Sequence, residues 1–245
     1  MNNQSIEVNP ELAEFARRVL LEWYESSARK FPWRIDTNPY HMLMAEMMLR
    51  RTRANQVVSV YLDFLEKFPN VKSLADASPE EVMQYLYPLG LSWRATNFQV
   101  LAKEVMLNHG GEIPEGREEL LELTGVGPYV ADAVRCFAFG KNSVLVDTNT
   151  VRVAARYLGF EYDQESRRKP AVIKAVTQLV DLEQPAYSNY ALLDFAAIIC
   201  RAHNPIHDNC PLAVYCSYYL NLQNSEYSQT ENHTDHKLEE KNDSR

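Results

Sequence analysis

The chain has 245 residues, of which 46% are hydrophobic and 24% are charged, so it can bury a sizeable core in one or two domains. No apolar run approaches membrane-spanning length, and the amino-terminal residues lack the basic-then-apolar order of a secretory signal, so we expect a cytoplasmic protein with no membrane partner. The formal net charge of −8 excludes nucleic-acid binding through bulk charge alone, and such a partner would require a local basic face.

Apolar residues recur at helical spacing in several segments, and the chain contains only eight glycines. Examples are the segments that begin at Leu12, Val57 and Leu192. These patterns predict an all-α fold, and we expect each of these stripes to pack in a core.

A helix is predicted from about His41 to Arg51, with Leu43 and Met47 in apolar surroundings and Glu46 among them. Burying a glutamate is costly unless it is paired or functional. Two interpretations remain open for Glu46: a functional acid, or one partner of an internal ion pair with Arg50, one helical turn away.

A turn with two glycines, Gly125-Val126-Gly127, separates a predicted helix over residues 118–123 from another over about 129–139. Such a turn lets the backbone come close to a ligand, and the amides at the start of the next helix favour an anion. This helix-hairpin-helix pattern is typical of proteins that hold nucleic-acid backbone without reading sequence. The alternative is a glycine cap that joins two packed helices.

Asp147 follows the apolar run of residues 144–146 and precedes Thr148 and Asn149. It is therefore a candidate N-cap of the next helix and a candidate catalytic carboxylate, and the two roles are compatible.

Several arginines are candidates for the basic face that DNA binding requires. They are Arg50, Arg51, Arg53, Arg94, Arg135 and Arg152. The alternative is that they form separate, solvated ion pairs.

From about Phe31 to Tyr218 the chain resembles the helix-hairpin-helix DNA glycosylases of the endonuclease III type. The resemblance implies that the glycine turn holds a phosphate beside the target nucleotide, and that Asp147 stabilises the sugar cation as the base leaves. A preorganised anion lowers the energy of the oxocarbenium-like charge that builds up during glycosidic cleavage. Tyr129 and Glu46 would line the DNA cleft with Asp147.

Tyr129 stands where the bifunctional members carry a lysine that forms a Schiff base with the sugar. A phenol cannot form one, so the chain resembles the monofunctional branch. A tyrosine here, together with Arg50-Arg51, is most similar to the thymine/uracil–guanine mismatch glycosylases, whereas adenine glycosylases carry serine and glutamines. The alternative for Tyr129 is an ordinary helix aromatic with its hydroxyl at the surface.

The enzyme must flip the target base out of the duplex and fill the gap. The resemblance places Leu91 as the wedge and Arg50 opposite the orphan guanine, to which arginine can donate two hydrogen bonds. Leu91 is alternatively a core residue of its loop.

A late group of cysteines resembles the family's iron–sulfur loop, Cys-x6-Cys-x2-Cys-x5-Cys, with histidine at the second position: Cys200-x6-His207-x2-Cys210-x5-Cys216. The resemblance implies a structural 4Fe-4S cluster held by three cysteines and His207, because imidazole is an acceptable iron ligand. The alternatives are a Cys3His zinc site, a three-cysteine cluster with an open iron, or no metal. Cys136 is expected to be a small buried hydrophobe.

The resemblance predicts a six-helix barrel domain over residues 31–140, with the hairpin at 118–139, and a helical cluster domain built from residues 1–30 and 141–222. Residues 223–245 contain six acidic and three basic residues and are expected to form a disordered tail. We therefore expect a monomer that removes thymine or uracil mispaired with guanine from double-stranded DNA. Alternatives are an adenine glycosylase lacking its carboxy-terminal recognition domain, a glycosylase for modified cytosine, and a non-catalytic DNA-binding module.

Overall fold

The computed structural model describes residues 6–50, 52–90 and 94–225. Within these ranges the regular elements are all helical, so the all-α prediction is confirmed, and no helix there has the length and apolarity needed to cross a bilayer. Arg51, Leu91 and the predicted tail beyond Ser225 lie outside the described residues.

Eleven α-helices have both ends described. They are α1 (Pro10–Ser27), α2 (Pro39–Leu49), α3 (Ala54–Lys67), α4 (Val71–Asp76), α5 (Pro79–Leu86), α6 (Ala95–His109), α7 (Arg117–Glu122), α8 (Pro128–Phe137), α9 (Thr148–Leu158), α10 (Pro170–Thr177) and α11 (Pro185–Ile198). Residues 217–225 are also helical.

The chain divides into two compact units. The central unit comprises Arg29–Leu145 and Leu182–Ala186, and so contains α2 to α8. The terminal unit comprises the described residues up to Ala28, Val146–Asp181, and those from Tyr187 onward.

In the central unit, α2 is buried from Met42 to Met48, and Glu46 is the one charged residue in this otherwise apolar stretch. A helix of this kind needs neighbours all round, and α2 packs against both α3 and α8. It begins at Pro39, two residues earlier than the sequence suggested. The Asn38 side chain accepts hydrogen bonds from the backbone N–H groups of Tyr40 and His41, at 2.9 and 3.2 Å, and proline suits the first helical position.

In the terminal unit, contacts across long sequence separations join the amino-terminal helix to the later segments. The Tyr157 hydroxyl donates to the Leu12 carbonyl at 2.9 Å, and the rings of Trp23 and Phe195 meet edge to face at 5.4 Å. Phe15 makes a similar edge contact with Tyr215, at 5.0 Å between ring centroids. Helix α1 is thereby fixed to α9, α11 and the segment that carries the late cysteines.

Candidate active site

The glycine turn of the hairpin has the backbone that its sequence predicts. Gly125 has a φ of +84°, and a methyl group added to it would lie 3.0 Å from the terminal carbon of Met47. Gly127 is extended, with φ −106° and ψ 176°, and is the N-cap of α8. Because glycine has no side chain to cap the helix, the backbone amides of this helix start are not covered by their own N-cap residue.

The two helices of the hairpin are joined by an ion pair that the sequence did not reveal. Arg117 of α7 donates through Nε and Nη2 to the two carboxylate oxygens of Asp132 on α8, at 2.8 and 3.1 Å. Hydrogen bonding to Asp132 raises the pKa of Arg117. This bidentate contact holds the helix that carries Tyr129 against the helix that precedes the turn.

Glu46 lies on α2 and is 4% exposed, and Tyr129 lies on the first turn of α8, half-buried. Since α2 packs on α8, the structure brings these two elements together. Arg50, just after α2, is exposed and donates from Nη1 to the Gly125 carbonyl oxygen at 2.7 Å. Two of the predicted DNA-binding positions, Arg50 and Gly125, are therefore in direct contact.

Asp147 is the N-cap of α9, as one of its two predicted roles requires. Its Oδ1 accepts hydrogen bonds from the backbone N–H groups of Asn149 and Thr150, both at 2.8 Å. Its Oδ2 accepts from the side-chain Nδ2 of Asn149 at 2.6 Å. The Thr150 hydroxyl completes a capping box by accepting from the Asp147 backbone N–H at 3.0 Å. Both carboxylate oxygens are thus fixed in direction.

Arg152 supports this arrangement from the next turn of α9. It is 7% exposed and donates from Nη1 to the Asn149 side-chain oxygen at 3.0 Å, which orients the Asn149 amide with its nitrogen toward Asp147. Its Nε and Nη2 donate to the carbonyl oxygens of Cys200 and Ala196, each at 2.9 Å. A continuous chain of hydrogen bonds therefore runs from the Asp147 carboxylate to the backbone of Cys200.

The expectation that Arg94 and Arg152 contribute to an exposed basic face is wrong, because both are buried, at 5% and 7% exposure. Arg152 is used internally, as described above, and Arg94 donates to the Arg50 carbonyl oxygen at 3.3 Å. Arg50 and Arg53 are exposed.

The three late cysteines and His207 lie on one loop of the terminal unit. None of Cys200, Cys210 and Cys216 forms a disulfide, and burial raises the pKa of Cys210 to about 11. Burial is also the main cause that raises the pKa of Cys216. The His207 ring stacks on Tyr219 at 4.7 Å.

Arg156 connects the cysteine loop to α9. Its Nη1 lies 3.6 Å from the Cys200 sulfur, and its carbonyl oxygen lies 3.4 Å from the Cys216 sulfur. Within the described ranges, no group of three or more histidine, cysteine or acidic side chains is arranged so that it could hold a metal ion as it stands. The ligand set therefore remains a prediction. Cys136 is fully buried in α8 of the central unit.

Comparison with known proteins agrees with this architecture. Residues 44–179 match the model of the HhH-GPD superfamily base excision DNA repair proteins. The chain is 39% identical to a thymine-DNA glycosylase of Aeropyrum pernix, over 85% of this chain and 96% of that protein. It is 36% identical to a thymine/uracil-DNA glycosylase of Methanothermobacter thermautotrophicus, over 82% and 91% of the two chains. Adenine DNA glycosylases of Buchnera aphidicola and Homo sapiens also match, at 32% and 33% identity, over 58% and 38% of their own lengths.

A solved structure of a thermostable thymine-DNA glycosylase superposes with a TM-score of 0.82 at 34% identity, covering 86% of this chain and 98% of that one. The chain belongs to the HhH-GPD superfamily of base excision DNA repair proteins. The prediction that it is a DNA glycosylase, an enzyme that acts on N-glycosyl bonds, is confirmed.

Proposed function

We propose that this glycosylase is monofunctional and removes thymine or uracil mispaired with guanine. The observation that carries the proposal is the combination of Tyr129 at the start of α8 with a carboxylate, Asp147, held by N–H donors at both of its oxygens. The named activities of the similar proteins, thymine and thymine/uracil glycosylases, support the same substrate class.

The proposed reaction requires no covalent intermediate with an amine. The N-glycosidic bond breaks with its electron pair leaving on the pyrimidine, while the Asp147 carboxylate stabilises the positive charge that develops on the sugar. A water oxygen then bonds to the sugar carbon and releases one proton to the solvent, while the departed pyrimidine anion takes up one proton from the solvent. The products are the free base and an abasic site in an intact strand. Tyr129 has no amine with which to attack the same carbon, in contrast to a lysine at this position.

Glu46 and the hairpin turn have separate proposed roles. Glu46, nearly fully buried on α2, hydrogen-bonds the edge of the flipped pyrimidine. The turn Gly125-Val126-Gly127 binds a phosphate beside the flipped nucleotide. The Val126 N–H donates to the Leu123 carbonyl oxygen within the turn, so the phosphate contacts fall to the other backbone amides of the turn and of the start of α8, which the extended glycine N-cap leaves accessible to an anion. Arg50, Arg51 and Leu91 contact the opposite guanine and the gap in the stack, roles that rest on the resemblance alone.

We further propose that Cys200, Cys210, Cys216 and His207 hold a 4Fe-4S cluster, with zinc as the alternative metal. The proposal rests on the chemistry of the donor set: three thiols outside any disulfide and an imidazole on the same loop. When bound, the cluster would supply structural support rather than redox chemistry. Absorbance of the purified protein in the visible range and its iron and zinc content decide between the metals.

A panel of duplexes tests the substrate proposal. Each duplex places thymine, uracil or adenine opposite guanine, or adenine opposite an oxidised guanine, and base release is measured under single-turnover conditions. We expect release of thymine and uracil from guanine mismatches and no borohydride-trapped adduct with DNA. Release of adenine alone would assign the chain to the adenine branch, and a trapped adduct would contradict the monofunctional mechanism.

A further inference from the structure

A carboxylate from outside the hairpin accepts two hydrogen bonds from Thr124, the residue that precedes the glycine turn. Glu104, on α6, accepts a hydrogen bond from the Thr124 backbone N–H through Oε2 and another from the Thr124 hydroxyl through Oε1, both at 2.7 Å. Both contacts are short and charge-assisted, and the two oxygens engage two different donors of a single residue. The pair is half-buried and spans 20 positions of sequence.

The turn is braced on its other side as well. Arg50 donates to the Gly125 carbonyl oxygen, while Val126 N–H is used within the turn by the Leu123 carbonyl oxygen at 3.0 Å. Asn97, seven positions before Glu104 and so on the same face of α6, has its Cβ 3.7 Å from where a Gly125 methyl group would lie. Helix α6 therefore lies along the turn and holds it by a specific polar contact rather than by packing alone.

The charge of Glu104 is the unexpected feature of this contact. A carboxylate this close to a phosphate-binding turn repels the phosphate, so general electrostatics predicts that removing it strengthens DNA binding. A carboxylate that fixes the backbone of the turn has the opposite effect, because its loss frees the amides from the orientation that phosphate requires.

We propose that Glu104 is a positioning residue: through Thr124 it fixes the glycine turn in the conformation that binds DNA phosphate. The inference rests on the proposed phosphate-binding role of the turn. It assigns to Glu104 and Thr124 an effect on DNA affinity, while the bond-breaking step belongs to Asp147. Arg50 restrains the same turn from the carbonyl side.

The test is a double-mutant cycle of Glu104→Ala and Thr124→Val, read out as the Kd for a duplex that carries an uncleavable abasic-site analogue. We expect Glu104→Ala to weaken binding about tenfold although it removes a negative charge, since a hydrogen bond to a charged group contributes on that scale. Thr124→Val keeps the backbone N–H contact, so we expect it to weaken DNA binding only about threefold. The double variant should bind no more weakly than Glu104→Ala, because both changes remove the same brace.

Glu104→Gln provides a conservative version of the same test, because the amide keeps one acceptor and the side-chain shape. We expect Glu104→Gln to weaken DNA binding about threefold. Glu112→Ala is the matched control: this exposed acid follows α6, and its removal changes the net charge of the protein by the same amount. It should leave Kd unchanged or slightly improve it. Rates of base release at saturating DNA separate an effect on affinity from one on chemistry.

Equal or tighter DNA binding by both Glu104 variants would overturn the proposal. The proposal would also be overturned if the fold-increase in Kd of the double variant equalled the product of the fold-increases of the two single variants. Because the analogue duplex has no base to release, the binding result does not depend on which base the enzyme removes. The substrate proposal is tested separately: it fails if the unmodified protein releases neither thymine nor uracil.

Discussion

At the scale of single residues, Asp147 shows that a helix cap and a proposed catalytic group can be the same carboxylate. Its sequence context predicted the cap, and the structure has it. The orientation of the second oxygen could not be predicted, because it depends on the Asn149 amide and on the buried guanidinium of Arg152, which reaches Cys200, 48 positions away in sequence. Local patterns indicate which residue caps a helix, but not which distant residue holds its neighbour.

Replacing Asn149 with alanine removes the donor to the second oxygen of Asp147 and leaves the backbone cap intact. We expect single-turnover base release to fall about tenfold, on the scale of one hydrogen bond to a charged group, with little change in Tm. Thr148→Ala, at the exposed first position of α9, is the control and should retain the full rate. Equal rates for the two variants would show that the Asn149 contact has no part in catalysis.

Replacing Tyr129 with lysine restores the amine that a Schiff-base mechanism needs at this position. We expect a covalent DNA adduct after borohydride reduction and some strand nicking, and we expect neither of them from the unmodified protein. Tyr129→Phe, which lacks an amine, should give no adduct. A Tyr129→Lys variant that releases bases but never forms an adduct would place residue 129 away from the reacting sugar carbon.

At the scale of elements, the hairpin was predicted closely, although its helix boundaries differ by one or two residues. Gly127 caps α8, so the helix starts at Pro128 rather than Tyr129, and it ends at Phe137 rather than near residue 139. Gly125 fixes the turn because few other residues tolerate its left-handed backbone. The side chains that restrain the turn come from elsewhere in the central unit, Arg50 from the C-cap of α2 and Glu104 from α6, and no local pattern indicated Glu104.

Gly125→Ala and Gly127→Ala form a matched pair for the turn. At Gly125 an added methyl group meets Met47 and the backbone is left-handed, so we expect a loss of about 1–2 kcal/mol in the free energy of unfolding. At Gly127 the backbone is extended and nothing lies within 4 Å of the added group, so stability should be nearly unchanged. Denaturant unfolding of both variants tests this, and a Gly127 variant as unstable as the Gly125 variant would contradict it.

At the scale of the whole molecule, helical periodicity and the low number of glycines, eight in 245 residues, were enough to predict an all-helical chain. The basic face was predicted less well, because burial cannot be read from a list of arginines: Arg94 and Arg152 are internal, whereas Arg50 and Arg53 are exposed. Stripes of apolar residues are local and repeat at a known period, so they predict packing. The partner of a long charged side chain is set by the tertiary fold.

The proposed metal site lies in the terminal unit. If the cysteine loop binds a cluster, stripping the metal with a chelator under reducing conditions should lower Tm, because ligand binding to the folded state contributes to its stability. His207→Ala should lower the metal content relative to the unmodified protein, whereas His207→Cys, which supplies another ligand, should keep it at the unmodified level. A protein purified without iron or zinc, with a Tm that chelation leaves unchanged, would show that the loop is stable without metal.

The central claim is that the Asp147 carboxylate stabilises the sugar cation, and the Asp147→Asn variant tests it most directly. Asparagine retains an oxygen that can cap α9 but carries no charge, so DNA affinity should persist while single-turnover release of thymine or uracil from a guanine mismatch falls by about a hundredfold or more. Release at the unmodified rate by a correctly folded Asp147→Asn protein would contradict the mechanism.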